Sequence, residues 1–213
     1  MADAKKPGRK RDATASRKAI LDAALIEFSE QGYAGARVDE VARAAGVSKP
    51  LIYGYFGDKD ALYAAALREA YVQIRENEKS LDLDGKSPDQ AIRLLVIFTL
   101  KHFRDNPWFI SMLNTENLRG GATIREIEDA SDIQSNLVGK LRVILRKGAQ
   151  DGSFRDGIDP VDLYVFIASL CYFPVSNIHT LRAVFKCAID DEWLDQRGEE
   201  AARMLLAYLR PGA

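Results

Sequence analysis

The 213-residue sequence predicts an all-α protein, and three observations carry that reading. Apolar residues recur at three- and four-residue spacing along most of the chain, the period of a helix with one buried face. No stretch alternates apolar and polar residues long enough to argue for a sheet. Gly32, Gly57 and the stretch SLDLDGKSP (80–88) cut the periodic pattern into separate helical segments. An apolar content of 47% supports a real core, and 29% charged residues is ordinary for a folded chain in water.

Residues 1–13, MADAKKPGRKRDA, combine Pro, Gly and five cations without apolar periodicity, and are expected to be disordered in isolation. Such a segment is either an arm that tracks phosphates or enters a minor groove, or a solubilising tail. A first helix is expected from Thr14 or Ser16, either of which can cap it, to about Glu30. Ile20, Leu21, Ala23, Ala24 and Phe28 face inward, and Gly32 ends the helix.

A second helix is predicted over 38–45 and a third over 49–55. Ala42 and Gly46 stand four apart, which puts a small residue where the helices cross and a helix-ending glycine at the turn. Val38, Val41, Ala42 and Ala45 form one apolar stripe, and Leu51 and Ile52 are expected to return to the same core. Pro50 is tolerated because the first turn of a helix has no intrahelical N–H bond to lose. Ser48, Lys49, Tyr53 and Tyr55 lie between the apolar positions and can donate hydrogen bonds to phosphates or base edges. This is the helix-turn-helix pattern that places one helix in the DNA major groove, although a small three-helix domain without DNA shows a similar stripe.

A fourth helix is expected from Asp58 or Asp60 through Leu62, Ala65, Leu67 and Tyr71 to about Lys79. The Asp-, Gly- and Pro-containing stretch 80–88 is the clearest boundary. Beyond it helices are predicted over about 88–104, 107–119, 124–149, 160–179 and 195–209, with Pro174 kinking or ending the fourth of these.

The net charge of −1 argues against a protein that coats nucleic acid, but its distribution is uneven. Residues 1–55 carry ten Lys or Arg against seven acids, a net of +3, which leaves −4 for the rest. That fits one DNA-facing domain joined to a part that does not touch DNA. Cys171 and Cys187 lack metal-ligand spacing and read as reduced thiols, and no metal or cofactor is expected. Asp190, Asp191 and Glu192 read as a dipole-favoured helix start rather than a metal site. With two histidines, no GxSxG, no HExxH and no phosphate-binding glycine loop, the chain is not expected to be an enzyme. No apolar run approaches the ~20 residues that cross a bilayer, and no secretory h-region follows the basic N-terminus. A cytoplasmic protein without membrane contact is the expectation.

The string from Ile20-Leu21-Asp22-Ala23-Ala24 through Phe28, Gly32-Tyr33, Val41-Ala42 and Ala45-Gly46-Val47-Ser48 to Tyr53, Tyr55-Phe56 and Lys59-Asp60-Ala61-Leu62 resembles the DNA-binding domain of the TetR family of bacterial transcriptional regulators. The resemblance covers the first quarter to third of the chain; the remainder agrees in being helical and of suitable length. It implies a three-helix DNA-binding domain with a helix-turn-helix at 14–60, preceded by the basic arm at 1–13. A larger helical effector-binding and dimerisation domain follows at 61–213.

By position, the resemblance assigns base or groove contacts to Lys49, Pro50, Leu51, Tyr53 and Gly54. It assigns phosphate contacts to Ser48, Tyr55 and Lys59, with Arg37 at the entry to the second helix. Ser48 can also cap the recognition helix. Two departures stand out. Ala36 and Arg37 occupy places where the family usually has Thr or Ser, and Gly54 replaces a larger side chain.

The resemblance further implies a small-molecule pocket among the C-terminal helices. Helical spacing offers Phe98, His102, Trp108, Phe109, Met112, Glu116, Asn117, Tyr164, Cys171 and Tyr172 for it: aromatic stripes that also suit a plain core, interrupted by polar groups that are costly to bury alone. The runs Asn106–Gly121 and Ser176–Leu181 are similar to a subgroup that regulates catabolism of small aromatic or heterocyclic compounds. Val161, Val165, Ala168, Met204, Leu205 and Tyr208 are expected to build a four-helix dimer interface matching a pseudo-palindromic operator. The implied function is a dimeric, effector-released repressor that binds double-stranded DNA. The alternatives are an activator, or a DNA-binding regulator controlled by a protein partner.

Overall fold

A computed structural model describes the backbone of residues 8–79, 81–83 and 85–212, and the side chains of these except at 8–12, 134 and 135. Among the described residues the regular structure is helical throughout, with no strand. The chain forms two compact units. One runs up to Tyr71 and takes in Ser111–Ala130; the other comprises Val72–Ile110 and the chain from Ser131 onward. This packing division does not follow the functional division drawn at residue 60. The stretch 80–88 is a connection inside the second unit rather than a border between the two.

The first unit contains α1 (Gly8–Gly35), α2 (Val38–Ala45), α3 (Lys49–Phe56) and the first half of α4 (Lys59–Lys79). α1 opens at Gly8, ahead of the expected Thr14 or Ser16, because Arg9, Lys10, Arg11 and Ala13 are good helix formers that extend it backwards. Of the basic arm, residues 1–7 lie outside the described residues. Gly32 interrupts α1 with φ 65°, a left-handed conformation that glycine adopts without a Cβ penalty. Ile20, Leu21, Ala24, Leu25 and Phe28 are buried, as are Val38, Val41 and Ala42 of α2. α2 packs on both α1 and α3. Leu51 does not return to this core. It is 39% exposed, since α3 buries only Ile52 and the next-door position points about 100° away around the helix.

The unit is completed by the end of α6 (Pro107–Leu118) and a 3-10 turn at Ile124–Glu126. That turn replaces the start of the helix expected over 124–149. Glu116 Oε1 accepts from the N–H groups of Thr123 (2.7 Å) and Ile124 (2.9 Å), which fixes the turn, and Ile127 is extended at φ −82°, ψ 103°. Regular helix resumes only at α7 (Ala130–Asp151).

In the second unit α5 (Pro88–Asp105) packs against both α8 (Pro160–Ser176) and α10 (Asp191–Leu209), which also pack on each other. α5 begins with Ser87 and Gln90 exchanging side-chain and backbone bonds, a reciprocal cap that satisfies two orphan N–H groups. Asp159 caps α8 through the Val161 and Asp162 N–H groups. α10 starts four residues earlier than expected because Asp190 accepts from the Trp193 N–H at 2.8 Å, with Asp191 and Glu192 in the first turn. The acidic triplet thus serves the helix start. Pro174 sits two residues before the end of α8, and α9 (Ile178–Phe185) departs at 63°. The expected single helix over 160–179 is therefore two, as a proline with no N–H to donate dictates.

Near the end of α7, Gly148 faces the ring of Phe154. A Cβ on Gly148 would lie 2.3 Å from Phe154 Cδ2 and 2.6 Å from Cγ. Phe154 is buried, and its N–H donates to the Gly148 carbonyl at 2.9 Å.

Candidate nucleic-acid interface and effector site

The turn between α2 and α3 closes on Gly46, left-handed at φ 66°, ψ 29°, with Val47 N–H donating to the Ala42 carbonyl at 3.0 Å. Ser48 follows in extended conformation and starts α3. Its hydroxyl makes no capping bond, contrary to the expected cap, and it is exposed to an external acceptor. Pro50, Leu51, Tyr53 and Gly54 are exposed, and Lys49, Tyr55 and Lys59 are half-buried, so the assigned contact residues share the solvent side of α3 and its flanks. A Cβ on Gly54 would meet nothing within 4 Å. Packing does not demand glycine there.

Lys49 Nζ bonds Asp39 Oδ2 at 2.9 Å and lies 5.9 Å from the Tyr53 ring, its i+4 neighbour. Both partners of this ion pair are substantially exposed, so it is weak and yields readily to a phosphate or a base edge. Lys59 Nζ lies 5.0 Å from the Tyr33 ring. Arg37 fixes the entry to α2 by donating its backbone N–H to Glu27 Oε1 at 2.8 Å, leaving its side chain exposed.

The end of α6 packs into this same unit. The Arg119 guanidinium stacks 3.6 Å from the Tyr33 ring and 5.5 Å from that of Tyr63, while Tyr63 meets Phe28 edge-on at 4.9 Å. The Tyr33 hydroxyl donates to Asp60. Burial, with the nearby Glu116 carboxylate, pushes the Tyr63 phenol pKa up. Asp39 and Arg119 were not foreseen as parts of the site. The ten-residue separation of Asp39 from Lys49 gave no local signal, and Arg119 is separated from its rings in sequence by several helices.

The ten residues offered for the pocket separate. Met112, Glu116 and Asn117 belong to the first unit. Met112 is core, Glu116 caps the 3-10 turn, and Asn117 is exposed with its Nδ2 donating back to the Leu113 carbonyl. The others lie in the second unit. Here His102 is 5% exposed and ringed by Phe98 (6.1 Å between centroids), Phe103 (6.2 Å) and Phe109 (5.2 Å). Trp108 meets Phe109 at 5.9 Å, and Tyr172 meets Phe103 at 5.9 Å. Tyr164 is half-buried. Cys171 is a core thiol donating to the Val96 carbonyl at 3.5 Å; burial pushes its pKa up to about 12, which makes it inert.

Two residues that pattern reading missed complete the cluster. Arg75 and Glu78, on the α4 part of this unit, are 7% and 5% exposed, and Arg75 Nη1 bonds Glu78 Oε2 at 2.7 Å. The available signal was their place beside buried Ile74, one and four residues on. Burial lowers the His102 pKa to about 4, helped by the nearby Arg75 charge and opposed by Asp105. Burial raises Glu78 to about 7 against the pull of Arg75 and Lys140.

These shifts oppose each other in stability. His102 resists protonation when folded, so its contribution is present above pH 6.5 and is lost as pH falls toward 4. Glu78 resists ionisation when folded, so its cost appears above about pH 4.5 and is complete above 7. The native chain should therefore hold a nearly flat stability between pH 7.5 and 5. Glu78→Gln should lose stability on acidification across that range and His102→Gln should gain it, each by up to ~3 kcal/mol in urea unfolding. Parallel profiles for the two variants would rule this account out.

Residues 20–66 match the sequence profile of bacterial regulatory proteins of the tetR family, and residues 88–205 match that of the Tetracyclin repressor-like C-terminal domain. Over 202 residues the chain is 36% identical to the HTH-type transcriptional repressor NicS of Pseudomonas putida, covering 92% of this chain and 95% of NicS. The chain belongs to the TetR family. It is also 30% identical over 204 residues to the HTH-type transcriptional regulator RutR of Escherichia coli O157:H7, covering 95% of this chain and 94% of that protein. The fold is shared with the transcriptional regulator FadR of Bacillus subtilis, solved in complex with stearoyl-CoA. Its TM-score is 0.71 at 20% identity, over 91% of this chain and 100% of FadR.

In this TetR-family chain the first profile spans α2 and α3 whole, and the second runs from α5 into α10. Opposite their buried sides, α8 and α10 expose Val161, Val165, Phe166, Phe173, Met204 and Tyr208, with Phe166 meeting Tyr208 edge-on at 5.3 Å. Ala168 is half-buried on the same helix. Leu205 is a correction: at 3% exposure it fills the unit's own core, because it lies about 100° around the helix from Met204. Among the described residues no three His, Cys, Asp or Glu side chains group as a metal site requires, and no single helix is long and apolar enough to cross a membrane.

Proposed function

We propose that this chain is a cytoplasmic, dimeric, ligand-responsive repressor. It binds a pseudo-palindromic double-stranded operator and leaves it when a small effector, aromatic or heterocyclic, occupies the C-terminal helices. The observation that carries the reading is the solvent side of α3, where Lys49, Tyr53 and the uncommitted Ser48 hydroxyl stand together at the start of a helix sized for a major groove. Residues 14–60 read DNA, and residues 61–213 bind effector and a second copy. The relatives support this: NicS is a transcriptional repressor, and FadR was solved with a small-molecule ligand. The unmatched apolar side of α8 and α10 supplies the surface for the second copy.

Genomic footprinting with the purified protein should return a two-half-site sequence. On that operator Lys49→Ala should weaken binding by ~1–3 kcal/mol and relax discrimination at one base pair per half-site. Gel-shift affinity equal to that of the native chain would remove Lys49 from the interface.

A further inference from the structure

The outward face of α7 is strongly cationic, on a chain whose residues beyond 55 sum to −4. No carboxylate occurs between residues 133 and 150, and Lys140, Arg142, Arg146 and Lys147 all lie there. Three of them are exposed, and Lys140 is half-buried. Such a run is usually a solvated face, but arginines of α5 and α10 in the same unit are matched. Arg93, Arg104, Arg197 and Arg210 close ion pairs with Glu199, Asp195, Glu200 and Asp89. None of the four α7 cations closes one among the described residues.

Two clefts flank this face within the second unit. One, of about 420 Å³, is lined by Arg142, Arg146 and Arg155 together with Leu145, Ile158 and Pro160. The other, of about 430 Å³, is lined by Lys86, Lys140 and Lys147 together with Leu83, Pro88 and Val143. Among the described residues Asp156 is the only carboxylate lining either. Arg155 is held in place: its Nε donates to the Tyr208 carbonyl at 3.1 Å, and its guanidinium lies 4.3 Å from that ring.

Gly139 stands on the crest between the clefts, about one turn before Val143, which is 62% exposed. A glycine inside a helix weakens it, and no internal packing calls for this one. A Cβ at 139 would meet nothing within 4 Å, whereas one at Gly148 on the same helix would strike Phe154. What Gly139 leaves open is a close approach by a backbone from outside.

We propose that this face docks an acidic amphipathic helix of a protein partner, crossing α7 at Gly139. Two apolar side chains of the partner enter the clefts, and its carboxylates meet the six cations that line them. The clefts are separated by the width of α7, about 10 Å, which is the rise over seven helical residues, so the anchors stand at i and i+7. Duplex DNA offers phosphates but nothing to fill an apolar cleft. A membrane surface calls for bulky apolar side chains on the docking helix, and among the described residues α7 exposes Val143 alone.

The test is fluorescence anisotropy of the full chain with a labelled acidic peptide of about 15 residues carrying leucines at i and i+7. A control peptide has the same composition with the leucines moved to opposite faces. The patterned peptide should bind at least about tenfold more tightly than the control. Arg142→Gln with Arg146→Gln should lower that affinity by about tenfold, a loss that added salt shrinks. Gly139→Gln should lower it as much while the melting temperature holds or rises, because only the approach is obstructed. Both variants should bind the operator as the native chain does. No binding of the patterned peptide, equal binding of the two peptides, or an affinity that either variant leaves unchanged overturns the proposal. Phosphatidylglycerol vesicles and a random DNA duplex are titrated alongside. If either binds through Arg142 and Arg146 while the peptide does not, the face belongs to lipid or nucleic acid and the proposal fails.

Discussion

Replacing Phe166 and Met204 together with aspartate should turn the protein into a monomer and lower its affinity for a two-half-site operator by ~100-fold or more, the usual loss when linked binding events become independent. Both side chains are exposed, one on α8 and one on α10, so neither change opens a cavity within the chain. The Phe166–Tyr208 contact makes the two helices one continuous apolar surface, and two facing copies would place carboxylates against one another in it. Desolvating such charges without partners is costly enough to prevent association. Sedimentation equilibrium reads the assembly state, gel shift the affinity, and far-UV circular dichroism the retained helix. A double variant that stays dimeric and keeps its affinity would move the interface elsewhere.

Gly148→Ala should cost about 2–3 kcal/mol and lower the melting temperature by ~5–10 °C, even though alanine is the better helix former by ~1 kcal/mol. The reason is local. The new methyl would sit 2.3 Å from a ring carbon of Phe154, whose backbone is tied to residue 148 by a hydrogen bond and whose ring is buried, so that moving it aside disturbs its packing. The pairing gives a sharper check. Phe154→Ala alone should cost ~3–5 kcal/mol by leaving a cavity. In that background Gly148→Ala should cost much less than it does alone, because the two ring contacts are gone, only the 3.0 Å contact with the Cβ of residue 154 remains, and the propensity gain offsets it. A Gly148→Ala protein that melts no lower than the native chain contradicts this packing.

What the sequence disclosed follows interaction range. Gly46, the α2 stripe and the exposed face of α3 obey helical spacing and are visible in a window of twenty residues. Pro88, Pro107 and Pro160 announced their helix starts for the same reason. The failures lie where a distant partner decides. Glu116 was offered for a pocket because it interrupts an apolar run, and what that reading missed is that its Oε1 accepts from N–H groups seven and eight residues on. Leu205 and Met204 are neighbours of similar character, and only packing against α5 and α8 separates core from surface. Arg75 and Glu78 carry no local mark of burial; it depends on elements outside any short window of sequence.

The Arg119 stack on Tyr33 and Tyr63, with Glu116 fastening the turn that follows, bears on how such proteins are recombined. A reading head cut after residue 60 for grafting onto a foreign sensor would lose Tyr63 and the guanidinium that covers Tyr33. The transplantable piece is discontinuous: residues up to 71 together with 111–130. Chimeras that carry both segments should retain a stable head, and those that carry only the first must supply a substitute for Arg119.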